Sequence, residues 1–119
     1  MYNKQVMDHF LRPRNVGTID DAAQGSGRND DCGDTVVLSL RVVEGVIEEA
    51  RFASKGCAGA IACSSATTEL LTGSTLENFR SITAEELAEY LGGLPDAKMG
   101  CAAMATDAAR AAIEQALNE

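Results

Sequence analysis

Thr35-Val36-Val37-Leu38-Ser39-Leu40-Arg41-Val42-Val43-Glu44-Gly45-Val46-Ile47-Glu48-Glu49-Ala50-Arg51-Phe52-Ala53 is the stretch that decides the fold. Val36, Leu38, Leu40 and Val42 alternate with Val37, Ser39, Arg41 and Val43, the period of two that a strand requires. Glu44-Gly45 is a short turn, and Val46 to Ala53 returns as a second strand. Ser54-Lys55-Gly56 breaks this hairpin, and residues 58–72 then read as a helix rich in Ala, Ser and Thr. Side chains that small predict close packing against a sheet. Gly73 is the expected C-cap.

Working outward, residues 20–34 are polar and carry Gly25, Gly27 and Gly33, so they read as loop with room for one weak edge strand. Residues 2–11 form an amphipathic helix with Val6, Met7, Phe10 and Leu11 on one face, ended by Pro13, which disfavours helix in the residue before it. Thr83-Ala84-Glu85-Glu86 is a capping box that opens a helix running to Tyr90 or Leu91, where Gly92-Gly93 stops it. Leu94 to Gly100 reads as loop, and Ala102 to Leu117 as an alanine-rich final helix. The fold class is α+β: one antiparallel sheet with helices packed against it.

The chain of 119 residues fits a single domain, 1–119, and its 45% hydrophobic content suffices for one core at that size. Its formal net charge of −8 argues against nucleic acid, which needs a concentrated basic surface. The same charge suits docking on a basic partner, or simply solubility. No segment approaches the roughly 20 apolar residues that span a bilayer, and the N-terminus lacks a secretory pattern. The expectation is a cytoplasmic protein, where cysteines serve more often as metal ligands or redox groups than as disulfides.

Three of the four cysteines sit at junctions: Cys32 before the first strong strand, Cys57 before a helix, Cys101 before the last helix. Free N–H groups and the helix dipole at two of those junctions favour a thiolate, which is both nucleophile and metal ligand. Neighbouring glycines let bound atoms approach. Cysteines are also common core residues, so spacing alone leaves a shared site and three unrelated thiols equally open. Asp34 stands two residues after Cys32, on the same side of an extended segment. Three thiolates and one carboxylate can complete four-coordination at iron or zinc, with the carboxylate the weakest bond; the alternative is an exposed loop acid.

These residues resemble the IscU/NifU-type iron–sulfur cluster assembly scaffolds. The similarity runs through Asp8-His9-Phe10 and Pro13-Arg14-Asn15-Val16-Gly17, then Cys32-Gly33-Asp34. It continues in Gly56-Cys57-Ala58-Gly59-Ala60-Ile61-Ala62 with Ser64 to Glu69, and in Cys101 with Ala105-Thr106-Asp107-Ala108. The resemblance implies a three-stranded antiparallel sheet with flanking helices and a site at one exposed end. It implies a scaffold, not an enzyme with turnover of its own, on which a 2Fe–2S cluster forms and passes to client apoproteins. Sulfur would come as persulfide from a cysteine desulfurase, and electrons from a donor such as ferredoxin. Cys32, Cys57 and Cys101 would be ligands, Cys101 the persulfide acceptor, and Asp34 a labile iron ligand.

The chain departs from the family pattern at three places. Gly100 stands where many members have His, which moves the fourth ligand onto Asp34. Leu94-Pro95-Asp96-Ala97-Lys98 keeps only the ends of the family's Leu-Pro-Pro-Val-Lys stretch, so the resemblance stops short of implying an Hsp70-type chaperone. Cys63 replaces a small residue such as Ser and reads as a packing residue, with a supporting thiol as the alternative. His9 reads as a surface or packing residue and Asp107 as structural. Lys98 either lowers the Cys101 pKa, sits near a bound cluster, or is solvated; Arg12 and Arg14 either touch the desulfurase or are exposed beside a turn. Two further functions fit the same residues: a zinc-containing SufU-like sulfurtransferase, and a structural zinc domain.

Overall fold

The computed structural model describes residues 2–119. The hairpin forms as read, from β2 (Asp34–Val43) and β3 (Val46–Lys55). Val36, Leu38 and Leu40 are buried along β2, and Ile47, Ala50 and Phe52 along β3. The step from Ile47 to Ala50 breaks the period of two because the register shifts between Arg41 and Val42; a bulge there lets one strand carry an extra residue and keeps both inner faces apolar.

A third strand, β1 (Ala23–Asn29), pairs antiparallel with β2 to give the order β1-β2-β3. This is a full seven-residue strand where the composition reads mostly as loop. Its glycines are the reason for both facts. Gly25 and Gly27 lie opposite Leu38 and Val36, hence on the core face, where the final helix α4 (Met99–Leu117) crosses at backbone distance. A Cβ on Gly25 would overlap the Ala108 carbonyl oxygen and the Ala112 nitrogen, and one on Gly27 the Met104 carbonyl. The glycines mark a close helix–strand approach, not a turn.

Helix α2 (Ala58–Leu71) packs on β3 and on α4. It is buried on nearly every side, which explains its small residues. Its hydroxyls are satisfied locally: Ser64 donates to the Ala60 carbonyl at 2.8 Å and Thr67 to the Cys63 carbonyl at 2.7 Å. Thr72 caps α2, and Gly73 follows at φ +88. Helix α1 (Lys4–Leu11) begins two residues later than the periodicity suggests, because Asn3 caps it by accepting from the Val6 N–H at 2.9 Å. Helix α3 (Ala84–Tyr90) has the capping box between Thr83 and Glu86. No helix among the described residues is long and apolar enough to cross a membrane.

Loops cover the outer edge of β3. Phe52 donates to the Asn15 carbonyl at 2.9 Å, and Gly17 donates to the Phe52 carbonyl at 2.8 Å. At the other end Ile47 donates to the Ser74 carbonyl and accepts from Gly73.

His9 fastens α1 to α2. It is buried, with Nδ1 2.8 Å from Ser65 Oγ and Nε2 3.4 Å from Glu69. Burial, then the Arg14 guanidinium, holds its pKa below the usual imidazole value, against the pull of Glu69 and Asp8. A depressed folded pKa means that its contribution is complete above the unfolded value of about 6.5 and is lost as pH falls towards the folded one. Thermal unfolding should therefore show a lower midpoint near pH ~5.5 than near pH ~7.5, and His9→Gln should flatten that difference. A slope that persists in His9→Gln would assign it elsewhere.

Candidate metal and sulfur site

Asp34 opens β2, Cys57 is the N-cap of α2, and Cys101 lies in the first turn of α4. The hairpin register, Thr35 opposite Lys55, places the start of β2 beside the end of β3. Gly56 then allows the chain to turn over Asp34: a Cβ at that position would stand 2.6 Å from the Asp34 carboxyl carbon. The Cys57 N–H, one of the free donors at the start of α2, points at Asp34 Oδ2 at 3.4 Å.

The final helix begins earlier than its alanine run suggests. A 3-10 turn, Asp96–Lys98, leads into Met99, so Cys101 is inside the helix, not before it.

Asp34, Cys57 and Cys101 present one oxygen and two sulfurs, all within 4.8 Å of one another. The two Sγ atoms are 3.9 Å apart. That is too far for a disulfide bond of about 2.05 Å. Two thiolates on a tetrahedral ion with metal–sulfur bonds of ~2.3 Å stand about 3.8 Å apart. The donor set therefore has a spacing that iron or zinc accepts.

Cys32 lies outside this group, exposed on the loop between β1 and β2. It remains a neighbour of Asp34. Hydrogen bonding between the two raises the Cys32 thiol pKa and, as the leading cause, lowers that of the Asp34 carboxyl. Asp34 is buried, with its carboxyl held below the usual carboxylate pKa, and it accepts from the Cys57 N–H.

Cys101 is buried, and burial, then the Cys57 charge, pushes its thiol up to about 12. Lys98 lowers it by less than these raise it, so desolvation outweighs the lysine that the sequence offered as an activator. Lys98 is itself held above its ordinary pKa, first by Cys57 and then by Tyr2, and its side chain runs beside Gly59 close to Cys101. Cys63 is fully buried in α2, and burial raises its thiol well above the ordinary range; it packs in the core.

Arg14 is half-buried, pairing with Asp8 and approaching Glu69, while its N–H donates to Ser65 Oγ at 2.9 Å. Arg12 is exposed and pairs with Asp8 at 2.8 Å. Asp107 pairs with Arg110 on α4. Two residues near the sulfurs carried no signal in the sequence reading. Tyr2 reaches over the site: a Cβ on Gly59 would meet its hydroxyl at 2.8 Å and the Cys101 Sγ at 3.3 Å. Asn29 ends β1, within the segment that reads as loop, and lies against Gly100 and Cys101.

The comparison with known proteins agrees in fold and sequence. Residues 1–118 match the family model described as NifU-like N terminal domain. An iron–sulfur cluster assembly scaffold protein IscU 1 from Archaeoglobus fulgidus is 47% identical over 114 residues, covering 95% of this chain and 74% of that protein. The IscU scaffold protein of Escherichia coli K12 is 44% identical over 117 residues, covering 94% and 91%. The solved N-terminal structure of a nitrogen-fixing NifU-like protein from Brucella abortus shares the fold. Its TM-score is 0.77 at 19% identity, over 98% of this chain and 94% of that one. The chain belongs to the NifU-like N-terminal domain family.

Proposed function

We propose that this protein is a scaffold on which an iron–sulfur cluster, of the 2Fe–2S type, is assembled and from which it passes to client apoproteins. The observation that carries the reading is the Asp34–Cys57–Cys101 group with its 3.9 Å sulfur pair, in a chain similar to named IscU scaffolds.

The roles follow from the environments. Cys101 receives sulfur from a cysteine desulfurase: its thiolate attacks the outer sulfur of the donor's persulfide, the donor S–S bond breaks, and the electron pair leaves on the donor cysteine. Burial raises the Cys101 thiol pKa, so its proton passes to solvent before the attack, and the Lys98 cation favours the thiolate that results. Cys57 and Asp34 hold iron beside it. Cys32 completes the set when its loop closes on the site, and Gly33, at φ +75 with open space around it, permits that loop its turn. Electrons that reduce the persulfide sulfur to sulfide come from a donor such as ferredoxin. Zinc can occupy the same donors in the isolated protein.

Anaerobic reconstitution with iron, cysteine and a cysteine desulfurase tests this. The expected product is a visible and Mössbauer spectrum of a 2Fe–2S cluster. Zinc retained, with persulfide on a cysteine and no cluster, would move the assignment to a zinc-containing sulfurtransferase. Asp34→Ala bears on the carboxylate. As the weakest bond to iron it makes the cluster transferable, so its loss should lengthen cluster retention and slow transfer to an apo-ferredoxin roughly tenfold, about 1.4 kcal/mol of barrier. A transfer rate equal to that of the parent would remove this role from Asp34.

A further inference from the structure

Asn29 joins three of the four segments that bring a donor to the site, those of Cys32, Asp34 and Cys101. Its backbone pairs with Asp34 in the β1–β2 ladder. Its carbonyl accepts from the N–H groups of Cys32 at 3.3 Å and Gly33 at 2.8 Å, which shapes the Cys32 loop. Its side-chain Oδ1 accepts from the Asp31 N–H at 3.2 Å. A backbone N–H can meet only the carbonyl end of the amide, so the orientation is fixed and the amino end faces away from Asp31. That amino end, Nδ2, points at Cys101 Sγ at 4.0 Å.

Gly100 makes the arrangement possible. A Cβ there would stand 3.0 Å from Asn29 Nδ2, 3.2 Å from Oδ1 and 3.3 Å from Cγ. The absence of a side chain beside Cys101 is therefore filled space: the Asn29 amide occupies it. Tethered by Asp31, the amide has little freedom to withdraw.

We propose that Asn29 is a positioning residue for Cys101: its amide, locked by the Asp31 backbone and lodged against Gly100, donates to the Cys101 sulfur and ties it to the loop that carries Cys32. At 4.0 Å the contact is long for a neutral thiol. A thiolate, a persulfide or a metal-bound sulfur carries more negative charge and draws the N–H closer. The chemical consequence rests on the scaffold reading: Asn29 stabilises the charged forms of Cys101, and a hydrogen bond to a cluster sulfur raises the cluster's reduction potential.

The test compares Asn29→Leu, Asn29→Asp, Gly100→Ala and the Asn29→Leu/Gly100→Ala pair. Asn29→Asp keeps an oxygen for the Asp31 N–H but replaces the donor with a carboxylate, while Asn29→Leu removes the donor without adding charge. A slowing common to both therefore reports the lost contact to sulfur and not loop shape or charge alone. Sulfur uptake on Cys101, read by mass spectrometry after mixing with a persulfide-loaded desulfurase, should slow roughly tenfold in both Asn29 variants. The reconstituted cluster should become harder to reduce in Asn29→Leu. Gly100→Ala should show the same defects more mildly and add nothing in the Asn29→Leu background, since both changes remove one contact.

Uptake within about twofold of the parent in both Asn29 variants, with an unchanged cluster potential in Asn29→Leu, would overturn the proposal while leaving the scaffold reading intact. A parent that takes up no sulfur and builds no cluster would instead refute the scaffold reading. The contact is then judged by NMR of the metal-free protein. Cys101→Ala should move the Asn29 side-chain amide protons upfield by removing their acceptor, and unmoved resonances would refute the contact.

Discussion

Gly27→Ala is expected to lower the thermal midpoint by about 10 °C, from a loss of about 3 kcal/mol. The added methyl would be driven into the Met104 carbonyl, with the Met104 carbonyl carbon and the Ala108 nitrogen also close. No flexible side chain is available to yield, because every one of these atoms is helix backbone. Relief requires α4 to lift from β1, and the fully buried Met104, Ala108 and Ala112, whose backbone stands against Gly25 and Gly27, would lose contact with it. Gly45→Ala is the control. Gly45 has φ +79 and nothing within 4 Å of a Cβ, so its cost is the left-handed backbone alone, roughly 1 kcal/mol. Melting curves followed by circular dichroism separate the two, and equal midpoints would mean that α4 does not rest on β1 as described.

Replacing the cysteines one at a time should grade them by position. Cys57→Ser and Cys101→Ser each remove a sulfur from the close pair. Sharing an apparent zinc affinity of about 10–16 kcal/mol among four ligands gives a loss near a hundredfold or more for each. Cys32→Ser should weaken metal by only about tenfold, because Cys32 lies outside the three-donor group and water can take a fourth position. All three should fail to hold a stable cluster. Cys63→Ser should keep both metal and cluster, since its hydroxyl has a helix carbonyl to donate to, as Ser64 and Thr67 do. Competition titrations with a chromogenic chelator measure the order. An equal loss in Cys32→Ser and Cys57→Ser would place Cys32 inside the metal-free donor group, and a loss in Cys63→Ser would overturn its assignment to packing.

The hairpin and α3 were legible because their signals are local: a period of two around Glu44-Gly45, and a capping box at Thr83. Strand β1 was not, because Gly25 and Gly27 are turn residues by composition. Only the position of α4, nearly eighty residues further on, makes them residues of close approach. The start of α4 was misplaced for a related reason: Met99 and Gly100 carry no cap, and the preceding 3-10 turn leaves no mark in composition. At the site, Asp34 and the cysteines were visible as residue types. What stayed hidden was which of them lie together, since burial of Cys101 and exposure of Cys32 depend on elements distant in sequence. Asn29 was invisible for want of the strand that aims it.

Strand addition to this sheet has few places to begin. The outer edge of β3 is already used by the Asn15–Gly17 turn and by Gly73 and Ser74, so a second chain finds those polar groups engaged. The edge left to β1 is seven residues long. It is rich in glycine and polar side chains that template poorly, and its Gln24 N–H is taken by the Gln115 side chain at 2.5 Å. Crowded or heated samples should therefore resist edge-to-edge polymerisation for as long as the Asn15 and Ser74 loops stay docked. Detachment of either loop is then the local opening that would bare the β3 edge to a second chain.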